Sequence, residues 1–154
     1  MKEKTMTKTM LWLLAFLLAL PVSLIAKEHD QDAIIGIWFT EGKKSKVKIY
    51  KKNDKYYGKI IWLKKPDDPF GNPKTDMRNP DESKRDRKIL GLLILRHFEY
   101  DGDNEWDEGE IYNPEDGKTY SCVMTLSDDG KTLDVRGYVG ISLFGKTTVW
   151  KKAE

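Results

Sequence analysis

The sequence predicts an all-β fold, an eight-stranded antiparallel up-and-down barrel, within a chain of 154 residues. Apolar and polar side chains alternate in short runs, as where Val47 and Ile49 follow Lys46 and Lys48. Turn-forming residues separate these runs at short intervals. Eight such runs are enough for a meander to close on itself and remove its exposed edges. An open two-layer sandwich is the alternative, because alternation alone does not prove closure.

The elements follow in order. The first strand is expected at 35–41, and Gly42 separates it from Ser45–Lys52. Asn53-Asp54 makes a tight turn. The remaining strands are expected at 55–63, 92–100, 106–113, 118–126, 131–138 and 146–152, with turns at 101–103, 114–117, 129–130 and 140–145.

The segment 64–88 interrupts this pattern, since it is polar and holds four of the six prolines. Its end, from Pro80 to Lys88, predicts a short helix with Asn79 as the N-cap. Long loops in compact domains are often functional, so the segment is either a lid or contact surface or a solvated linker. The contact candidates are Asp76, Asn79 and Arg85.

Residues 1–26 have the pattern of a cleaved signal peptide. Three lysines precede the apolar run 10–20, and Pro21 ends it. The run is shorter than the roughly 20 residues that a membrane-spanning helix needs. We therefore expect an exported protein, periplasmic or secreted, with no transmembrane span once the signal is removed. Residues 27–154 are expected to form one barrel domain.

Removal of residues 1–26 leaves 24 basic and 24 acidic residues. Without a basic excess to neutralise phosphates, the composition argues against a nucleic-acid partner. Cys122 is the one cysteine, so no internal disulfide can form. It shares strand parity with Tyr120 and Met124, which predicts a buried and unreactive thiol.

Gly36 and Trp38 form a Gly-x-Trp pattern at the first strand, which resembles lipocalin-like barrels. The resemblance implies that Trp38 plugs one barrel end and that a basic residue from a late strand covers it. Arg136 is the candidate for that residue, although its strand parity points it outward.

A wider resemblance rests on motifs between residue 34 and the C-terminus. These are Tyr57-Gly58-Lys59-Ile60-Ile61-Trp62, Asp76, Asn79-Pro80, Ile89-Leu90-Gly91-Leu92, Trp106, Gly109, Ile111-Tyr112-Asn113-Pro114, Asp116-Gly117-Lys118-Thr119-Tyr120, Leu133-Asp134-Val135-Arg136-Gly137-Tyr138 and Trp150. Together they are similar to an exported bacterial family known only as a domain of unknown function. That resemblance implies a lipocalin-like barrel and no established activity.

The expected strand 106–113 leaves two orientations open. If Trp106 and Tyr112 face inward, Glu108 and Glu110 enter the barrel and need partners such as Arg96. If Ile111 faces inward, both carboxylates lie outside. The first orientation gives a polar, aromatic-lined pocket, whose candidate ligand-binding residues are Tyr57, Trp62, Arg96, Trp106, Glu108, Glu110, Tyr112 and Tyr120.

The sequence gives little support for a catalytic site or a metal site. The acidic stretch 101–110 begins like a calcium loop, but Trp106 and Tyr112 occupy the positions that need Gly and Glu. The sequence holds no Gly-x-Ser-x-Gly or His-Glu-x-x-His motif. We expect no metal and no cofactor, and we lean against an enzyme, with a hydrolase that uses Glu108 or Glu110 as the remaining catalytic hypothesis.

The preferred hypothesis is a binding protein for a small hydrophobic or amphipathic ligand in the cell envelope. The alternative is a structural module that binds an envelope protein through the segment 64–88. A barrel filled with side chains would count against a ligand inside it.

Overall fold

The computed structural model describes residues 30–153, so the predicted signal peptide 1–26 lies outside the described residues. Eight strands form one closed barrel in chain order. Their bounds are β1 Gly36–Phe39, β2 Ser45–Lys52, β3 Lys55–Leu63, β4 Leu93–Gly102, β5 Glu105–Asn113, β6 Lys118–Leu126, β7 Thr132–Tyr138 and β8 Lys146–Lys152. The predicted fold class is therefore confirmed, and the alternative sandwich is excluded.

Each strand is antiparallel to its neighbours, including the closing pair of β1 and β8. Asn53-Asp54 and Asp103-Asn104 are tight hairpin turns in which both residues have positive φ. β4 continues to Gly102, so the second of these turns lies later than the sequence suggested. The alternation of strand direction places loops in two sets, one at each barrel end.

Side chains fill the barrel interior. The tight packing is visible at Gly58 and Gly109, where an added Cβ would overlap Leu95 and the ring of Phe98. The inward residues that are at most 5 % exposed include Trp38, Val47, Ile49, Tyr56, Ile60, Leu95, Phe98, Trp106, Cys122, Met124, Leu126, Leu133, Val135 and Trp150. This core occupies the space in which an interior ligand would have to lie.

The N-terminal segment 30–35 closes one end of the barrel. Ile34 is fully buried, and its carbonyl accepts a hydrogen bond from the indole of Trp38 at 2.9 Å. The Trp106 indole donates to the Gln31 carbonyl, and the Tyr56 hydroxyl donates to Asp32 at 2.7 Å. We call this the sealed end; its loops are 53–54, 103–104 and 127–131.

The loops 40–44, 64–92, 114–117 and 139–145 follow the odd-numbered strands and form the other end, which we call the loop end. The segment 64–88 folds back on the barrel here. A Cβ on Gly117 would overlap the carbonyl of Arg78, which shows how closely this segment meets the β5–β6 turn. The segment is therefore packed against the barrel along part of its length.

The predicted helix in this segment is wrong. Only a 3-10 turn forms, at Glu82–Lys84, and its N-cap is Asp81, whose carboxylate accepts from the backbone N–H of Ser83. The side-chain oxygen of Asn79 accepts from the backbone N–H of Asp81 at 2.9 Å, while its amide group donates to Asp76 and Tyr112. The local bond expected of Asn79 therefore forms together with its tertiary hydrogen bonds, but the chain beyond it makes one 3-10 turn and no α-helix.

Candidate functional site

The seam between β1 and β8 is the shortest contact in the barrel wall. β1 has four residues and β8 has seven, and they pair only at Trp38 with Lys152 and Phe39 with Lys151. Beyond Phe39 the chain leaves the sheet through Thr40 and a 3-10 turn at Glu41–Lys43. The part of β8 that precedes Lys151 therefore lies beside this turn instead of beside a paired strand.

A half-open cleft of about 360 Å³ lies at the seam, lined by Phe39, Thr40, Gly42, Lys43, Val149 and Lys151. The ammonium of Lys43 lies 5.4 Å from the centre of the Phe39 ring. Lys46, from β2, approaches the same ring to 4.7 Å. Val149 is 42 % exposed and adds apolar surface. The cleft thus combines an apolar floor with several ammonium groups.

Trp62, a predicted ligand residue, lies next to this cleft. Val47 pairs with Ile60 while Lys46 pairs with Trp62, so a bulge at Ile61 moves Trp62 to the outer face of β3. Its ring meets Phe39 edge-to-face, with centroids 6.2 Å apart, and Lys46 lies 5.7 Å from it. The side chain is 40 % exposed, so it extends the aromatic surface beyond the cleft.

This arrangement suits non-covalent binding. An aromatic ring and an aliphatic side chain offer contact to an apolar body. The ammonium groups attract an anion, and solvent screens this attraction only weakly at short range. A carboxylate, sulfonate or phosphate carried on an apolar tail would satisfy both features.

The two candidate carboxylates of β5 lie outside the barrel. A bulge between Trp106 and Gly109 gives Glu108 a φ of 56° and breaks the simple alternation. Trp106 and Gly109 face inward, whereas Glu108 is exposed and Glu110 meets Arg96 at 3.4 Å on the outer face. The orientation with Ile111 inward is therefore the observed one, and the inward carboxylate pocket is wrong.

Tyr57 and Tyr120 also lie apart from one another. Tyr57 faces outward, stacks on Tyr50 with a centroid distance of 6.0 Å and contacts the His97 ring edge-to-face at 5.5 Å. Tyr120 lies on the face of β6 that includes Cys122, and its hydroxyl donates to Asp116 at 2.7 Å. The eight candidate ligand residues do not form one site.

Tyr112 faces outward as well, yet the segment 64–88 covers it. The Tyr112 hydroxyl donates to Asp76 at 2.6 Å, and the Asn79 amide donates to the other Asp76 oxygen at 2.8 Å. Arg87 completes the ion pair with Asp76 at 3.0 Å. Burial and the neighbouring Asp76 raise the pKa of Tyr112 to about 12.

The predicted contact residues of this segment therefore divide into two kinds. Asp76 is fully buried and Asn79 is 6 % exposed, so both anchor the segment to β5 and neither presents its side chain to a partner. Arg85 binds the Asn79 carbonyl and pairs with Glu82, and its side chain remains 40 % exposed. Only Arg85 of the three is available at the surface.

Residues 36–152 match the bacterial family described as "Uncharacterized protein conserved in bacteria (DUF2147)". The chain belongs to this family. A comparison with curated proteins gave no match. A solved structure from Helicobacter pylori, described as "Protein HP1028 from the human pathogen Helicobacter pylori belongs to the lipocalin family", is similar to 78 % of this chain and 82 % of its own, with 29 % identity and a TM-score of 0.67.

In this DUF2147 chain the lipocalin-like plug is only partly as predicted. Trp38 is fully buried, as expected. Lys152, not Arg136, covers it, with the ammonium 5.5 Å from the ring centre. Gly36 lies beside the Lys152 side chain, and its φ of 149° is a conformation that favours glycine. Arg136 lies toward the loop end, because it pairs with Thr147 near the start of β8.

Cys122 of the DUF2147 barrel is fully buried, and desolvation raises the pKa of its thiol to about 12. The predicted unreactive thiol agrees with this environment. Within residues 30–153, no group of three or more His, Cys, Asp or Glu side chains is arranged to hold a metal ion. Over the same range no helix has the length and apolar character needed to span a bilayer.

Sequence reasoning missed most of the cleft. Phe39, Lys43, Val149 and Lys151 come from the two ends of the domain, and only barrel closure brings them together. One signal was available: Phe39 and Lys151 directly follow Trp38 and Trp150, and strand alternation places neighbours of a core residue on the outer face.

Proposed function

We propose that this protein is exported and binds a small anionic amphiphile in the cell envelope, at the seam cleft between β1 and β8. The observation that carries the proposal is a cleft in which the apolar side chains of Phe39 and Val149 lie beside Lys43 and Lys151, with the ammonium groups of Lys43 and Lys46 both close to the Phe39 ring. A lipocalin-like fold supports a ligand-binding role, and the lipocalin description of the similar Helicobacter pylori protein agrees with it.

The size of the cleft favours a small ligand. Ligand pockets usually measure roughly 300–1,000 Å³, so a volume of about 360 Å³ lies near the lower limit. Trp62 adds a further ring outside the cleft, against which the rest of an apolar tail can pack. The packed interior directs the ligand to the wall of the barrel.

The test is isothermal titration of the chain beginning at Lys27 with sodium dodecanoate. The double substitution Lys43→Glu and Lys151→Glu should weaken binding by about tenfold or more, because two attractions become repulsions. The matched control is Lys48→Glu with Lys59→Glu, an exposed cross-strand pair on β2 and β3. Equal affinity in the two double variants would refute the cleft as the site.

Export has its own test. The protein should appear outside the cytoplasm with a mass that lacks residues 1–26, because these residues have the three-part pattern of a signal peptide. An intact mass in the cytoplasmic fraction would contradict export and would leave the binding test unaffected.

A further inference from the structure

We propose that the loop end docks on an anionic phospholipid surface by inserting the loop 139–144. This proposal does not require that the seam cleft binds a ligand. It begins with the exposure of four large apolar side chains in a stretch of six residues: Val139 is 73 %, Ile141 59 %, Leu143 74 % and Phe144 78 % exposed. Contiguous exposure of this kind on a small domain marks a contact with a partner or a membrane.

The loop has a defined shape that keeps these side chains outside. Arg136 donates to the carbonyls of Ser142 and Leu143, at 2.7 and 3.2 Å, and to the hydroxyl of Thr147 at 2.9 Å. A 3-10 turn at Ser142–Phe144 and the positive φ of Gly140 complete the fold of the loop. Arg136 therefore holds the loop backbone while the apolar side chains point away from it.

Other exposed apolar side chains lie at the same end of the barrel. Phe70 is 89 % and Met77 67 % exposed, and both belong to the segment 64–88. Trp62 and Phe39 lie near this end with Lys46 above their rings. Tryptophan beside lysine is a typical combination at the boundary between lipid headgroups and acyl chains.

The distribution of charge between the two ends favours a negatively charged lipid surface as the partner of the loop end. The loop-end segments 40–44, 64–92, 114–117 and 139–145 hold 10 basic and 9 acidic residues. The sealed-end segments 30–35, 53–54, 103–104 and 127–131 hold 6 acidic residues and 1 basic residue. An anionic surface would repel the sealed end and not the loop end, which orients the barrel with loop 139–144 toward the bilayer.

Insertion of this loop would bury its apolar side chains at the level of the headgroups and upper acyl chains, while Lys146 remains among the phosphates. A protein partner would also meet an apolar loop, but the charge asymmetry of the two ends supports a surface that is negative over a wide area. Neutral vesicles should therefore bind this protein much less than anionic ones.

The experiment is cosedimentation with vesicles of phosphatidylcholine alone or mixed with phosphatidylglycerol. The chain beginning at Lys27 is used because it contains the eight strands of the barrel and lacks the apolar run 10–20. We expect binding to the mixed vesicles that falls as salt rises. Leu143→Ser with Phe144→Ser should reduce the partition coefficient at least tenfold, and Lys146→Glu should reduce it severalfold.

The matched control is Ile35→Ser with Ile37→Ser, which removes two exposed apolar side chains near the sealed end. It should bind the mixed vesicles like the parent chain. Far-ultraviolet circular dichroism should be the same for all variants, since the replaced side chains are exposed. Absence of parent binding to the mixed vesicles, or equal loss in the loop variant and the control, would overturn the proposal.

Discussion

The two ends of this barrel differ in what they do with apolar side chains. At the sealed end, Ile34, Trp38 and Trp106 are fully buried, and both indoles donate to carbonyls of the segment 30–35. At the loop end, Leu143 and Phe144 are more than 70 % exposed. The apolar residues of the sealed end therefore stabilise the fold, whereas those of the loop end are exposed to the surroundings.

The two ends differ in how much their apolar side chains contribute to stability. Burial of large side chains supplies most of the stability of a small domain, and here that burial extends from the sealed end through the interior. Exposed apolar residues contribute little to stability, so they are retained at the loop end at no benefit to the fold. The binding proposed for the loop end and for the neighbouring seam would account for their presence.

The largest effect should come from Trp38→Ala, which removes the plug of the sealed end. Loss of a fully buried tryptophan costs about 3–5 kcal/mol of the free energy of unfolding. Trp62→Ala, the matched control, removes a 40 % exposed ring near the loop end and should cost less than about 1 kcal/mol. Urea unfolding curves measure both. Similar losses of the free energy of unfolding in the two variants would contradict the difference in stability contribution between the two ends.

Asp76→Ala should have the next effect, because the segment 64–88 is the one part of the loop end with a buried polar anchor. The substitution leaves the Tyr112 hydroxyl without its acceptor, removes one of the two acceptors of the Asn79 amide and breaks the ion pair with Arg87, which costs about 2–4 kcal/mol in total. Asp86→Ala, at an exposed position of the same segment, should be nearly neutral.

Limited proteolysis sharpens this prediction. If the network holds the segment on β5, Asp76→Ala should expose 64–88 to rapid cleavage while the barrel stays intact. A segment that resists cleavage equally in both variants would show that Asp76 is not its anchor.

Gly109→Ala should have a smaller effect. The added methyl group would overlap the ring of Phe98 in a packed interior, and such overpacking costs about 1–3 kcal/mol. A second substitution, Phe98→Leu, should recover part of the loss in a double-mutant cycle. Independent, additive effects would indicate that the interior near Gly109 has free space, and would reopen the possibility of an interior ligand.

Much of the fold could be predicted because its signals are local. The alternation in Ser45–Lys52 and the positive-φ turn at Asn53-Asp54 each depend on a few adjacent residues. Four strands, Ser45–Lys52, Lys55–Leu63, Lys118–Leu126 and Lys146–Lys152, have the predicted bounds. Closure into a barrel followed from the number of strands and was confirmed by the pairing of β1 with β8.

The candidate site was less predictable, because bulges change which face a side chain occupies. The bulge at Ile61 moves Trp62 outward, and the bulge before Gly109 moves Glu108 and Glu110 away from the face of Trp106. A bulge shifts parity for every residue beyond it. The burial of Tyr112 depended on a long-range contact with Asp76, 36 positions away.

The most direct test of the account is nitrogen-proton NMR of the chain beginning at Lys27 during titration with sodium dodecanoate. The account predicts shifts for the backbone signals of residues 39–43 and 149–151, with the indole signals of Trp38 and Trp106 unchanged because they are bonded within the sealed end. Shifts confined to those indoles and to interior residues such as Met124 would place the ligand inside the barrel and contradict the account.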